Sequence, residues 1–275
     1  ALASVICFHF PHFLTTPELR EIYPVALIRR LIWIFIALSI ALGILSFILN
    51  PKKFHGIFAV IISVAAGLLG GGSVQYSTPV QKASIVGLDW FILDLLLLSL
   101  VFIPMERLFA AKKGQKIFRE GWKTDIIHFC FNHILLQIIL LLSTAPAKML
   151  AVVSSGGVTI KWIRNINPFI QFFLIVLTMD FFQYWVHRSF HMFPKLWRFH
   201  AIHHSVEKMD WLAGSRLHFI DILVTRAVLF IPLTFLGFAE QPLQAYLVFT
   251  AFQTVFIHSN LKWTFKGLRW IIATP

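Results

Sequence analysis

Apolar stretches long enough to approach or match the width of a bilayer recur along this chain, and they restrict its fold more than any other feature. A helix needs ~20 mostly apolar residues to cross the hydrocarbon core. Leu31 to Leu49, Leu88 to Ile103, Ile126 to Leu142 and Phe169 to Val186 are the strongest candidates. Phe54 to Leu69 is shorter and ends in Gly70-Gly71-Gly72, which suits a span or a re-entrant piece. Phe219 to Phe238 carries Asp221, Arg226 and Pro232, and Leu243 to Ile257 is again short. Lipid offers no partner to an open sheet edge. The expected fold class is therefore all-α, a polytopic membrane helical protein.

Composition agrees. The 275 residues are 58% apolar and 13% charged, against ~45–50% and ~25% in an ordinary soluble domain. That excludes a disordered chain, a coiled coil and a collagen-like fibre, and it argues against a soluble globule. The net charge of +12 raises the question of nucleic acid. Nucleic-acid binding needs a basic face on a soluble domain, whereas these basic residues sit between apolar runs, so no nucleic-acid partner is expected. Cys7 and Cys130 are far apart and form no CxxC, so neither a disulfide framework nor a zinc ribbon is indicated.

Lys and Arg in short loops set orientation. Arg107, Lys112, Lys113, Lys116, Arg119 and Lys123 form the densest basic stretch and are placed in the cytoplasm. Counting spans onward puts the Lys161 segment outside and returns the segment from His187 to Arg216 inside. That segment carries Arg188, Lys195, Arg198, Lys208 and Arg216, which fits the same rule independently. Counting backward places Lys52-Lys53 inside, the Lys82 loop outside, and Arg29-Arg30 outside against the rule. The basic run also suits docking of an acidic partner by electrostatic steering.

Six of the twelve histidines fall between positions 187 and 218. His187-Arg188-Ser189-Phe190-His191 is an H-x-x-x-H, and residues i and i+4 of a helix share a face. His200-Ala201-Ile202-His203-His204 is an H-x-x-H-H, whose i, i+3 and i+4 positions are expected to do the same. Pro194, between them, cannot continue the first helix but can open a second. Two short helices joined by a bend would present five imidazoles to one volume. One tetrahedral zinc site takes four ligands, and imidazole-rich sites suit zinc, copper, iron and nickel. A zinc peptidase is excluded, because Arg188 stands where that chemistry needs a Glu beside the first histidine.

These residues carry a family resemblance. Asp180-x-x-x-Tyr184-Trp185-x-His187-Arg188-x-x-His191, followed by Pro194-x-Leu196-Trp197-Arg198-x-His200-x-x-His203-His204-Ser205, resembles the fatty acid hydroxylase / sterol desaturase superfamily. Met209, Trp211-Leu212, Ser215-Arg216, His218, His258-Ser259-Asn260, Gly267-Leu268 and Thr274-Pro275 resemble its bacterial members. The resemblance covers roughly residues 120 to 275. It implies two domains, with membrane spans over 1–110 and a catalytic region over 111–275.

What the resemblance implies is an integral membrane di-iron oxygenase, multi-pass in a bacterial inner membrane, with its metal site on the cytoplasmic side. It would use dioxygen to hydroxylate or desaturate an unactivated C–H position of a lipid. Electrons would come from a separate haem- or ferredoxin-type carrier and its reductase. His187, His191, His200, His203 and His204 would be iron ligands, His258 a sixth, and His218 a ligand or a residue behind one. Asp180, seven residues before His187 on nearly the same helix face, is a candidate to orient a ligand histidine through a hydrogen bond. His128 and His133 do not share a helix face and are expected to be structural. The family places a further H-x-x-H-H a few residues after a Thr-Pro like Thr274-Pro275. The natural chain is thus expected to continue into it, and these 275 residues to bind metal incompletely. The competing class is a non-enzymatic membrane metal-binding or transport protein. That class would be expected to place its ligands at mid-membrane on broken helices, not at span ends.

Overall fold

In a computed structural model, the described residues are 1–16, 22–75, 87–153, 160, 162–263, 265, 267 and 273–275. Among them the chain is helical without a strand. The helices are α1 (Leu2–His9), α2 (Pro11–Leu14), α3 (Val25–Leu49), α4 (Phe54–Leu68), α5 (Leu88–Leu108) and α6 (Trp122–Ile134). They continue as α7 (Leu136–Val153), α8 (Pro168–Met192), α9 (Pro194–His200), α10 (Phe219–Leu236) and α11 (Glu240–His258). The Lys82 and Lys161 connectors and Leu268 lie outside the described residues.

Five segments are long and apolar enough to cross a membrane: Val25–Leu49, Phe54–Ser73, Leu88–Leu108, Pro168–Met192 and Phe219–Leu236. They bury only 6–22% of their apolar windows inside the protein. The remaining apolar surface needs a hydrocarbon solvent, so this is a membrane protein. One expectation needs correction, and one short stretch is resolved. The stretch Ile126 to Leu142 is not one straight span: α6 and α7 meet at a bend of 56°. The stretch Leu243 to Ile257 lies in α11, which is not among the helices apolar enough to span; Gln244, Thr250, Gln253 and Thr254 interrupt it.

The chain divides into two compact units. The first comprises Ala1–Leu95 with His133–Gln137. Its centre is the α3–α4 hairpin, where a Cβ on Gly56 would stand 2.6 Å from the Gly43 carbonyl oxygen. Close backbone approach of this kind is how membrane helices gain packing without a hydrophobic drive. Ser63 Oγ donates to Ser39 Oγ across the same pair at 2.7 Å. Two acids with no evident role in the sequence find partners here. Asp89 accepts from the Thr16 amide and hydroxyl and from the Tyr23 hydroxyl, and Asp94 pairs with His133 at 2.7 Å.

The second unit comprises Leu96–Asn132 and Ile138–Pro275. Here α8 is the central element, packed by α9, α10 and α11. Asn167 caps α8 by accepting from the Phe169 amide, and Pro168 occupies its first turn, where no amide donor is needed. The other end of α8 carries the first histidine motif.

Candidate metal centre

His187 and His191 occupy the last turns of α8, with their Nε2 atoms 3.0 Å apart. Phe193 is extended, Pro194 opens α9, and the chain turns back so that His200 and His204 face them. His200 and His204 bring their Nε2 atoms to 3.1 Å. One ring nitrogen from each of His187, His191, His200 and His204 lies within 4.8 Å of the others. Tetrahedral metal–imidazole bonds of ~2.0–2.1 Å place ligand nitrogens ~3.3 Å apart. The paired separations fit a shared first-row metal ion.

The H-x-x-H-H does not act as one face. Helix α9 ends at His200, and His203–Ser205 form a 3-10 turn with a different angular step. His203 therefore points to α11, where its Nε2 lies 3.3 Å from the Nε2 of His258. The five expected imidazoles become a group of four plus a His203–His258 pair, bridged by ring contacts of 5.6 Å to His200 and 5.3 Å to His204.

Two of these rings have their orientation set from behind. The His258 Nδ1–H donates to the Thr254 carbonyl at 2.7 Å. His200 Nδ1–H donates to Asp221 Oδ2 at 2.7 Å, with both side chains buried. A donor on Nδ1 leaves the Nε2 lone pair free to bind a metal. Asp221 was not singled out as an orienting group in the sequence. The candidate there, Asp180, is exposed on α8, and it is Asp221 that reaches a cluster histidine. His218 is not brought to the group of four. Its Nδ1 accepts from the Ile220 amide at 3.0 Å and caps α10, while its ring packs on Phe199. In that neutral tautomer Nε2 carries the proton and offers no lone pair. His128 donates to the Leu217 carbonyl, a structural role.

The electrostatics favour neutral imidazoles. Burial, followed by the proximity of His258, His204 and His200, pushes His203 down to about 3. Burial and then His200 and His191 also lower His204. A neutral ring is the ligating form.

Buried polar links hold this assembly in place. Arg119 Nη2 donates to Asp125 Oδ2 at 2.6 Å and to Asp210 Oδ1 at 2.8 Å. Arg216 Nε donates to Asp125 Oδ1 at 2.6 Å, and its Nη1 reaches the Ser205 carbonyl, next to His204. Glu106 Oε1 accepts the amides of Trp211 and Asn260 at 2.7 and 2.9 Å. That ties the 211–214 turn to the segment following His258. A Cβ on Gly214 would stand 2.9 Å from His258 Nδ1, so only glycine permits this approach.

A membrane protein with a polyhistidine centre at the end of a spanning helix is the class these features define. Comparison with known proteins narrows it. Residues 172–275 match the family model for fatty acid hydroxylase. Over 179 residues the chain is 31% identical to the ornithine lipid hydroxylase OlsE of Rhizobium tropici, covering 63% of this chain and 51% of that protein. Over 113 residues it is 31% identical to the fatty acid hydroxylase vlmA of Lecanicillium sp, covering 38% of this chain and 30% of that protein. The chain spans about half the length of the first relative and less of the second. No solved structure matches. Residues 172–275 are thus similar to the fatty acid hydroxylase family, in line with the resemblance seen in the sequence.

Proposed function

We propose that this chain is the membrane-embedded catalytic part of a dioxygen-dependent lipid hydroxylase, with residues 111–275 as the catalytic region carried beside spans 1–110. The observation that supports it best is the group of four imidazoles whose nitrogens lie within 4.8 Å at the end of α8. Both relatives are named as hydroxylases of lipids or fatty acids, which favours hydroxylation over desaturation. The balanced reaction inserts one oxygen atom into a C–H bond and reduces the other to water. It consumes two electrons from a separate haem- or ferredoxin-type carrier and two protons taken up from water.

His187, His191, His200 and His204 would hold one iron, and His203 with His258 would contribute to a second. When bound, iron supplies the one-electron and dioxygen chemistry that no side chain can perform. The protein supplies orientation. Asp221 and the Thr254 carbonyl fix two ring tautomers. Trp197 stacks on His204 at 5.6 Å and packs against His191, while Phe190 packs on His200. These contacts restrict ring rotation. Phe173, Leu177, Phe181 and Trp185 recur every four residues and are exposed along α8. That stripe faces lipid and leads a membrane lipid's apolar chain toward the helix end that carries the histidines.

Iron analysis of the purified full chain, with lipid profiling of cells expressing wild type or His187→Ala, tests this reading. Bound iron and a hydroxylated lipid, both lost in the variant, are expected. Unchanged lipid hydroxylation in His187→Ala would overturn it.

A further inference from the structure

The second unit contains a cavity of about 460 Å³ at the C-terminal end of α5, and no histidine lines it. Arg107, Lys112, Lys113, Lys116 and Lys262 all contribute to its lining. Among the described residues none of these five cations is in a salt bridge. The acidic lining residue is Glu106, whose Oε1 already accepts two backbone amides. Cations gathered around one hollow repel each other unless an anion sits among them.

The backbone that carries these side chains is held firmly. Lys112 N donates to Asn260 Oδ1 at 2.8 Å, Asn260 Nδ2 donates back to the Lys112 carbonyl, and Lys262 N donates to the Phe109 carbonyl at 2.8 Å. The cationic rim is therefore preorganised, which reduces the ordering cost of binding. Beside it, Phe109 and Trp263 lie 5.4 Å apart as exposed aromatic lining residues. Aromatic rings at the end of an apolar helix belong at the membrane–water boundary. Leu108, the last residue of α5 and also a lining residue, is 75% exposed.

We propose that this cavity binds the anionic phosphate headgroup of a membrane phospholipid, with the acyl chains lying along the outer surface of α5. A cluster of Lys and Arg just beyond the end of a spanning helix is a recurrent form of headgroup site. The apolar rim selects a lipid over free phosphate, and the recessed shape suits a headgroup better than the convex surface of an acidic protein. The site is independent of the reaction assigned to the histidines.

Native mass spectrometry of the full chain, released from discs of phosphatidylcholine doped with phosphatidylglycerol, tests the proposal. The side chains of Lys113, Lys116 and Lys262 are exposed and take no part in the Asn260 backbone clamp, so their replacement leaves it in place. The variant Lys113→Gln/Lys116→Gln/Lys262→Gln is expected to lose affinity for phosphatidylglycerol by about fivefold per lysine. The triple Arg variant should retain it, which separates charge from folding. Control replacements Lys123→Gln/Lys148→Gln/Lys195→Gln should change retention little. Equal retention by wild type and the Gln variant would overturn the proposal, as would an equal loss in the control. Displacement of lipid by inorganic phosphate at matched concentration would make this a free-anion site and overturn the lipid assignment. So would unchanged lipid retention accompanied by slower reduction from an acidic carrier protein.

Discussion

His200 and Asp221 are 21 residues apart in sequence, yet a 2.7 Å hydrogen bond joins Nδ1 of one to Oδ2 of the other in a buried setting. The bond fixes which nitrogen of His200 faces the other imidazoles. Asp221→Asn should therefore leave membrane insertion intact but weaken iron binding by about 10–100-fold, the usual cost of losing a partner behind a metal ligand. Titration of the purified variant with ferrous iron measures this. An affinity equal to wild type would show that the carboxylate does not orient the ring.

Gly214 lets the turn after Trp211 pass directly over the His258 ring. Gly214→Ala should push that ring away from His203 and lower the iron bound per chain, with the group of four histidines still able to bind. Metal stoichiometry of the variant is the direct readout. A normal stoichiometry would mean that His258 can shift without consequence, and that its contact with His203 is not needed for binding.

Asp125 is fully buried and receives two guanidinium groups, from Arg119 and Arg216. Burial would lower the Arg119 pKa, but its bonds and attraction to Asp210 and Asp125 outweigh that and raise it. Asp125→Ala leaves both cations short of a partner, a change that costs about 3–5 kcal/mol in a buried pair. Lys208→Ala, which breaks an exposed pair with Glu120, should barely register by comparison. Thermal unfolding of the two variants in the same detergent checks the ranking.

The sequence makes the local parts of this site plain and hides the distant ones. His187 and His191 pair as the helical i, i+4 spacing requires, and Pro194 opens the second helix as expected. The spans are legible because apolar length is itself the physical requirement of a bilayer. The splitting of the H-x-x-H-H was not legible. It depends on where α9 gives way to a 3-10 turn, and on α11 bringing His258, 55 residues away in sequence, to meet His203. Asp221 was hidden for the same reason, since its partner lies on another element. The bend between α6 and α7 was masked by an unbroken apolar run, because hydropathy records burial in lipid and not direction. His218 matched a family position as a ligand or a residue behind one, but its Nδ1 caps α10 and its ring packs on Phe199, away from the group of four.

The last prediction concerns sidedness. The segments 105–123 and 187–216 touch directly. Gln115 Nε2 donates to the Met209 carbonyl at 2.7 Å, Lys208 pairs with Glu120 at 3.0 Å, and Arg119 reaches Asp210 in the interior. Groups in contact within one compact unit cannot lie on opposite sides of a bilayer. Both segments are rich in Lys and Arg, so the positive-inside rule assigns them together to the cytoplasm. Single cysteines at Lys116 and Lys195, introduced after replacing Cys7 and Cys130, should react with a membrane-impermeant reagent from the cytoplasmic face alone. Same-side labelling requires the bent α6–α7 pair to cross the bilayer together as one broken span before α8 returns; opposite accessibility of the two positions would refute that crossing and the contacts between the segments. Labelling of both from the outer face would keep the α6–α7 crossing and reverse the orientation, placing the histidines where a cytoplasmic electron carrier has no access.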